Sequence, residues 1–316
     1  MSFFNDVERE LIVTRRTEVA EDIVALELAA SNGRPLPAWT PGSHIDLILG
    51  DSVERQYSLC SDPSDRDAWR VAVLREPAGR GGSVAAHALR EGDLVRARGP
   101  RSNFAFDSPA AGGVRFVAGG IGITPLLSMI RAAEASGADW TLDYAVRSRA
   151  RLPFVDELAA YGDRVRLHVS DEAGRLDASA LVASAGGDPI WACGPARLLD
   201  ALGAAATAQT RLHIEPFTAA VLPDPVRAEP FEVELMSTGE VLEVPADRSV
   251  LEVLESHGVF AVSSCREGTC GTCETVVVEG EVDHRDRVLS PAERQTSPVM
   301  MVCVSRAACP RLVLDL

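Results

Sequence analysis

The sequence predicts a multidomain chain of the α/β and β classes, and three observations predict it. Short strands at turn-punctuated intervals fill roughly the first hundred residues, the pattern of a closed antiparallel barrel. From Val114 onward, strands alternate with helices, which implies a parallel sheet with ligands at its carboxyl ends. Beyond a proline-rich stretch, Cys265, Cys270 and Cys273 stand in the spacing C-x4-C-x2-C, and Cys303 follows alone. At 316 residues the chain exceeds one ordinary core and suits two or three domains. The boundaries read as 1–107, 108–217, a linker at 218–230, and 231–316.

Composition narrows the function classes. A formal charge of −15 argues against nucleic-acid binding or an anionic membrane, and fits docking to a basic partner surface. All 31 basic residues are Arg. The N-terminal residues have no basic, then apolar, leader pattern. The longest apolar run, near Val117 to Ile130, is broken by Gly119, Gly120, Gly122 and Pro125 and is too short to span a bilayer. Seven cysteines, four of them in one set, read as metal binding in a reducing compartment before disulfides. The expectation is a soluble cytoplasmic monomer with no nucleic-acid or membrane partner.

In the first region the strands read as Leu11–Val13, Ile23–Leu28, His44–Leu49, Arg55–Leu59, Trp69–Leu74 and Leu94–Ala97. Along Arg55-Gln56-Tyr57-Ser58-Leu59, alternation puts Arg55 and Tyr57 on one face and Gln56 and Ser58 on the other. A guanidinium beside an aromatic ring suits a flat, phosphorylated cofactor, although a barrel Tyr also serves as ordinary packing. Gly79-Arg80-Gly81-Gly82-Ser83 then precedes a short helical stretch. Ser83 is expected to N-cap that helix, giving an anion site at its free N–H groups; a plain hairpin turn is the bland alternative.

In the second region, strand Val114–Ala118 runs into Gly119-Gly120-Ile121-Gly122-Ile123-Thr124-Pro125 and a helix with Leu126, Leu127, Met129 and Ile130 on its apolar side. Glycines at a strand-to-helix turn let a pyrophosphate approach the helix N-terminus, and Pro125 fits the first helical turn. Ala192-Cys193-Gly194-Pro195 repeats the strand-to-helix step, and His213-Ile214-Glu215-Pro216-Phe217 closes the region.

In the last region, Phe231–Leu235 and Glu240–Val244 form a hairpin, and Ser249 caps a helix that runs to Gly258. The cysteine loop and strand Glu274–Gly280 follow. Four thiolates in this spacing are the plant-type ligand set of a [2Fe–2S] cluster, and Gly268 and Gly271 let the loop turn sharply. A structural zinc site normally uses two paired C-x2-C knuckles, whereas here three ligands crowd one loop. Cys309 and Cys60 are read as free thiols.

The R-x-Y-S-L and G-R-G-G-S segments, with G-G-I-G-I-T-P, A-C-G-P and the cysteine loop, resemble the phthalate dioxygenase reductase branch of the ferredoxin–NADP⁺ reductase superfamily. The resemblance covers nearly the whole chain. It implies an antiparallel Greek-key flavin barrel, a Rossmann-like parallel nucleotide domain and a β-grasp [2Fe–2S] ferredoxin domain. It also implies FMN, held by Arg55, Gln56, Tyr57, Ser58, Gly81, Gly82 and Ser83, with Tyr57 on the isoalloxazine and Ser58 near flavin N5. Nicotinamide would lie against Thr124, Cys193, Glu215 and Phe217, with Gly119, Gly120, Gly122, Pro125 and Gly194 around the pyrophosphate. Arg147, at the head of an Arg-rich turn, would accept a 2′-phosphate and favour NADPH. Asp171 would contact a ribose hydroxyl and favour NADH, the preferred reading.

A nicotinamide yields two electrons as a hydride, a cluster takes one at a time, and a flavin does both. The expected activity is therefore NADH-dependent electron transfer through FMN and the cluster to a separate terminal oxygenase. A Rieske-type oxygenase is preferred to a cytochrome P450. The rival readings are a ferredoxin-like carrier and a free-flavin reductase.

Overall fold

The computed structural model describes residues 7–50, 53–79, 81–108, 112–217, 224–263, 265–289 and 293–316. Arg80 of the glycine-rich turn and residues 218–223 of the linker lie outside the described residues. The chain forms two compact units, Met1–Phe217 and Thr218–Leu316.

The first unit begins with strands β1 (Arg9–Ala20), β2 (Ile23–Ala30), β3 (His44–Ile48), β4 (Glu54–Ser58) and β5 (Trp69–Leu74), helix α1 (Gly82–Ala88) and β6 (Leu94–Arg101). They pair antiparallel in the order β4-β3-β6-β1-β2-β5. An antiparallel bridge between Leu59 and Val71 joins the two edges, so the sheet closes into a barrel. Alternation fills the interior: Val24, Leu26 and Leu28 of β2 and Trp69, Val71 and Val73 of β5 point into one core with Leu11, Ile45 and Leu47. Each such buried side chain contributes about 1.5–3 kcal/mol of transfer free energy.

The residues between them are buried as well. Ile23, Ala25 and Ala72 face outward from the barrel into a second core built on Phe116, Leu126, Met129, Trp140 and Tyr144. That core belongs to a parallel sheet in the order β11-β10-β7-β8-β9. Its elements are β7 (Gly113–Gly119), α2 (Ile123–Ser136), β8 (Asp139–Val146), α3 (Val155–Ala159), β9 (Val165–Val169), α4 (Ser170–Ala173), α5 (Ala178–Ser184), β10 (Ile190–Gly194), α6 (Ala196–Ala205) and β11 (Leu212–Pro216). The strand order reverses direction between β7 and β10, the crevice where open α/β sheets bind ligands. Helix α2 is buried along Ile123–Ile130 and stops at Gly137, whose φ of 73° places it in the left-handed cap position. Helices α5 and α6 cover the sheet elsewhere through Leu181, Leu199 and Leu202, packed on Val117 and Ile190. Barrel and nucleotide sheet thus share one apolar seam.

The second unit comprises β12 (Phe231–Leu235), β13 (Val241–Val244), α7 (Val250–Ser256), β14 (Glu274–Glu279), β15 (Val282–Asp283), α8 (Glu293–Thr296), β16 (Val299–Met301), β17 (Arg306–Ala307) and β18 (Arg311–Leu314). Five strands form a mixed sheet, β13-β12-β18-β14-β16, with β12 and β18 parallel. Ser249 caps α7 in a reciprocal capping box with Glu252, and Val250, Leu251, Val253 and Leu254 bury its apolar face. Among the described residues no helix is long and apolar enough to cross a membrane.

Candidate functional site

Strand β4 carries the first cradle. Its register on β3 sets Tyr57 opposite Ile45 and Ser58 opposite His44. Ser58 is buried, and the Gln56 Nε2 lies 3.3 Å from the His44 Nε2. Burial pushes the Tyr57 phenol up to about 12, against the opposing pull of Arg55. The Arg55 side chain lies so close to Gly82 that a Cβ there would sit 2.4 Å from Arg55 Cγ. Glycine at that position is therefore what lets the guanidinium lie over the start of α1.

The expected Ser83 cap is corrected by the structure. The N-cap position is Gly81, at φ 83°, and no side chain caps the helix. The left-handed turn at Gly81 starts the helix two residues earlier than a Ser83 cap would allow. Ser83 is consequently inside α1, and its hydroxyl accepts from the Glu76 N–H at 2.9 Å. It ties the turn to the end of β5.

The second cradle lies where β7 and β10 end. A Cβ on Gly122 would be 2.3 Å from the Cys193 carbonyl oxygen. One on Gly194 would be 2.9 Å from Gly119 Cα, and one on Gly119 would be 2.6 Å from Pro195 Cδ. These glycines pack backbone on backbone, and Gly120, at φ 54°, makes the turn between them. Thr124 and Pro125 are buried in the first turn of α2, with the Thr124 hydroxyl donating to the Ile121 carbonyl at 3.0 Å.

Cys193 and Glu215 are register partners on β10 and β11. Cys193 has no exposed surface, and burial, reinforced by Glu215, pushes its thiol well up. The Glu215 Oε2 is buried without a hydrogen-bond partner, and desolvation raises this carboxyl to about 8. Phe217 follows β11 with 39% exposure. Arg147 and Asp171 end up side by side beyond β8 and β9, their side chains 3.9 Å apart and exposed. Arg149 is held by Glu172 at 2.8 and 2.9 Å, and Arg151 by Asp22 at 3.0 Å.

The cysteine loop lies in the second unit. Cys273 Sγ and Cys303 Sγ are 3.1 Å apart, and Cys265 is in hydrogen-bond contact with Cys270 and with Cys303. None of the four is in a disulfide. Contact with Cys270 pulls the Cys265 thiol down and pushes Cys270 up; contact with Cys303 pulls Cys273 down. The Glu267 N–H points at Cys265 Sγ (3.3 Å) and the Thr272 N–H at Cys270 Sγ (3.5 Å). Gly268 is at φ 70°, where an added Cβ would meet the Val304 side chain at 2.5 Å and Asp286 Cα at 3.2 Å, and Gly271 is at φ 73°. Arg266 also adopts a left-handed φ of 58°, unusual for a side chain of that size, and is held by Glu255. The four thiols lie in one run of contacts, Cys270 with Cys265, Cys265 with Cys303 and Cys303 with Cys273, and four such thiolates are the ligand set of a [2Fe–2S] cluster.

Some contributors escaped the sequence reading. Arg70, Arg131 and Glu157 meet where barrel and nucleotide sheet join. Arg70 is the one charge on the strand Trp69–Leu74 and Arg131 directly follows the run Leu126–Ile130, while nothing in Val155–Ala159 marks Glu157 over its neighbour Asp156. Tyr144 is buried in β8 and donates to the Gly120 carbonyl at 3.0 Å.

A closed barrel seamed to a parallel nucleotide sheet, with a four-thiol loop in a separate unit, defines an iron–sulfur flavoprotein reductase. The 2Fe-2S iron-sulfur cluster binding domain family matches residues 233–308. The chain is 43% identical over 302 residues to phenoxybenzoate dioxygenase subunit beta of Ectopseudomonas oleovorans, with 94% of each chain covered. It superposes on phthalate dioxygenase reductase, described as modular for electron transfer from pyridine nucleotides to [2Fe-2S], at a TM-score of 0.71 with 36% identity and 98% of both chains covered. Full-length CYP116B46 from Tepidiphilus thermophilus matches at a TM-score of 0.83 with 50% identity over 98% of this chain, which spans 42% of that longer one. The chain belongs to the phthalate dioxygenase reductase family, the reductase components of oxygenase systems.

Proposed function

We propose that this protein takes a hydride from NADH onto FMN and passes single electrons through a [2Fe–2S] cluster to a separate terminal oxygenase. The observation that carries this reading is the four-thiol loop on a chain whose other unit joins a barrel and a nucleotide sheet through one apolar seam. The residues present fit the groups required. Arg55 over Gly82 forms a cationic cradle that a Cβ would fill, the Gly119, Gly122 and Gly194 contacts leave bare backbone at the switch point, and four unbridged thiols lie in contact with one another.

FMN, when bound, accepts two electrons together and releases them one at a time. Arg55 would bind its phosphate, with Gln56, Gly81, Gly82 and Ser83 around it, while Tyr57 and Ser58 border the ring. Gly119, Gly120, Gly122, Pro125 and Gly194 would admit the pyrophosphate. Thr124, Cys193, Glu215 and Phe217 would frame the nicotinamide. Below about pH 8 Glu215 is a neutral carboxyl, so it adds no negative charge beside the ring. Asp171 would hold a ribose hydroxyl. All three nearby arginines face carboxylates, Arg147 with Asp171, Arg149 with Glu172 and Arg151 with Asp22, which supports NADH over NADPH. Cys265, Cys270, Cys273 and Cys303 would hold the cluster, with N–H groups of the loop directed at two of the sulfurs.

A Rieske-type acceptor is the preferred reading, because phenoxybenzoate dioxygenase subunit beta and phthalate dioxygenase reductase match end to end. The 50% identity to part of CYP116B46 favours a second reading, a cytochrome P450 as acceptor. One assay tests both donor and acceptor: oxygenase turnover with NADH or NADPH and either oxygenase class. The expected result is coupled turnover with a Rieske oxygenase and at least tenfold higher kcat/KM for NADH, about 1.4 kcal/mol of discrimination. Preference for NADPH, or coupling to the P450 alone, would overturn the corresponding part.

A further inference from the structure

We propose that Glu157, clamped between Arg70 and Arg131, is a positioning residue for hydride transfer. The inference rests on the proposed NADH-to-FMN step, in which hydride with its electron pair leaves NADH, giving NAD⁺ and two-electron-reduced FMN.

Three elements meet at this carboxylate. Arg70 of β5 donates to both its oxygens, at 2.6 and 3.0 Å, and Arg131 of α2 donates to Oε2 at 2.6 Å. Both guanidiniums also donate to one carbonyl, that of Cys60, at 2.9 and 2.8 Å, and Arg131 reaches the Ser61 carbonyl at 3.1 Å. Cys60 stands two residues beyond Ser58, at the end of the strand that would carry the flavin. Arg131 stands two helical turns beyond Thr124, on the helix whose first turn faces the nucleotide cradle. Phe154, immediately before α3, packs against the Arg70 guanidinium at 4.9 Å. One anion therefore ties the end of the flavin strand to the helix of the nicotinamide site.

Glu157 keeps 37% of its side chain exposed, and an exposed ion pair contributes little. This one, however, is bidentate, shared by two cations that are only 18% and 23% exposed, and sits where the two sheets meet. The seam does not depend on it for cohesion. Ile23, Ala25 and Ala72 pack into the Phe116 core, Gly42 N–H donates to Ser128 Oγ at 3.2 Å, and Glu21 N–H to the Ala150 carbonyl at 2.8 Å. Loss of the Glu157 charge should leave the unit folded and relax the angle between barrel and sheet. Hydride transfer responds to such a change far more than binding does, since a displacement of about 1 Å can cost about 100-fold in rate.

The test compares wild type with Glu157→Gln, which keeps the shape and removes the charge. The expected result is a hydride-transfer rate at saturating NADH reduced by about tenfold or more, with a weakened NADH–flavin charge-transfer absorbance. FMN content and NADH affinity stay within about twofold, and Tm within about 2 °C. In FMN-free protein, amide exchange should quicken at residues 58–61 and 126–133. Arg131→Gln, which leaves the Arg70–Glu157 pair, should repeat the pattern and serves if the first variant does not fold. Unchanged rate and absorbance in the variants, or a rate loss matched by loss of FMN or of Tm, overturns the proposal. Failure of NADH to reduce the flavin in wild type overturns instead the function on which it rests.

Discussion

Glu215 shows how one side chain carries information that its letter does not. Its position before Pro216 and Phe217 makes it a candidate site residue, but only the fold reveals a buried carboxyl oxygen with no hydrogen-bond partner among the described residues, on the strand position paired with Cys193. Burial raises its pKa from 4.5 to about 8, so the folded protein holds a proton that the unfolded chain releases near 4.5. Stability from this group is fully present below 4.5 and is lost as pH rises through about 8. Thermal melts without nucleotide should therefore show wild type losing Tm relative to Glu215→Gln between about pH 5 and pH 9; parallel curves would refute the assignment. The cluster cysteines were legible from type and spacing alone, because four thiols in that pattern have few other uses. Ser83 was misread because a cap depends on backbone dihedrals, and the left-handed turn at Gly81 starts the helix before it.

At the scale of elements, the strand-to-helix turns form the proposed nucleotide site. Apolar strand and helix patterns located β2, β5, β7, α2 and α7, since each buries apolar side chains in a core. What periodicity could not show is that the outward face of β2 and β5 is buried too, because that depends on which other sheet packs there. The contact of Gly122 with the Cys193 carbonyl is likewise tertiary. Gly122→Ala puts a Cβ 2.3 Å from the Cys193 carbonyl oxygen and must push the turn before α2 away from β10. It should destabilise the unit by roughly 1–3 kcal/mol and abolish NADH binding. Gly203→Ala, where a Cβ meets nothing within 4 Å, is the control and should be neutral or slightly stabilising. Calorimetry with NADH titration distinguishes them, and equal behaviour of the two variants would dismiss the close-packing argument.

For the whole molecule, the order barrel, nucleotide sheet, cysteine loop was readable because each part carries its own local signature. The Arg70–Glu157–Arg131 clamp was not, since its members lie on three elements separated by 61 and 26 residues and meet only once the sheets pack. In the proposed function the cluster unit is the outlet for electrons that enter through the first unit. The most direct measurement is anaerobic rapid mixing with NADH, following flavin bleaching and the cluster signal in wild type and in Cys273→Ser. The account predicts that both proteins bleach the flavin at the same rate, while only wild type reduces a cluster and then an oxygenase. Oxygenase reduction that persists undiminished in Cys273→Ser would contradict it.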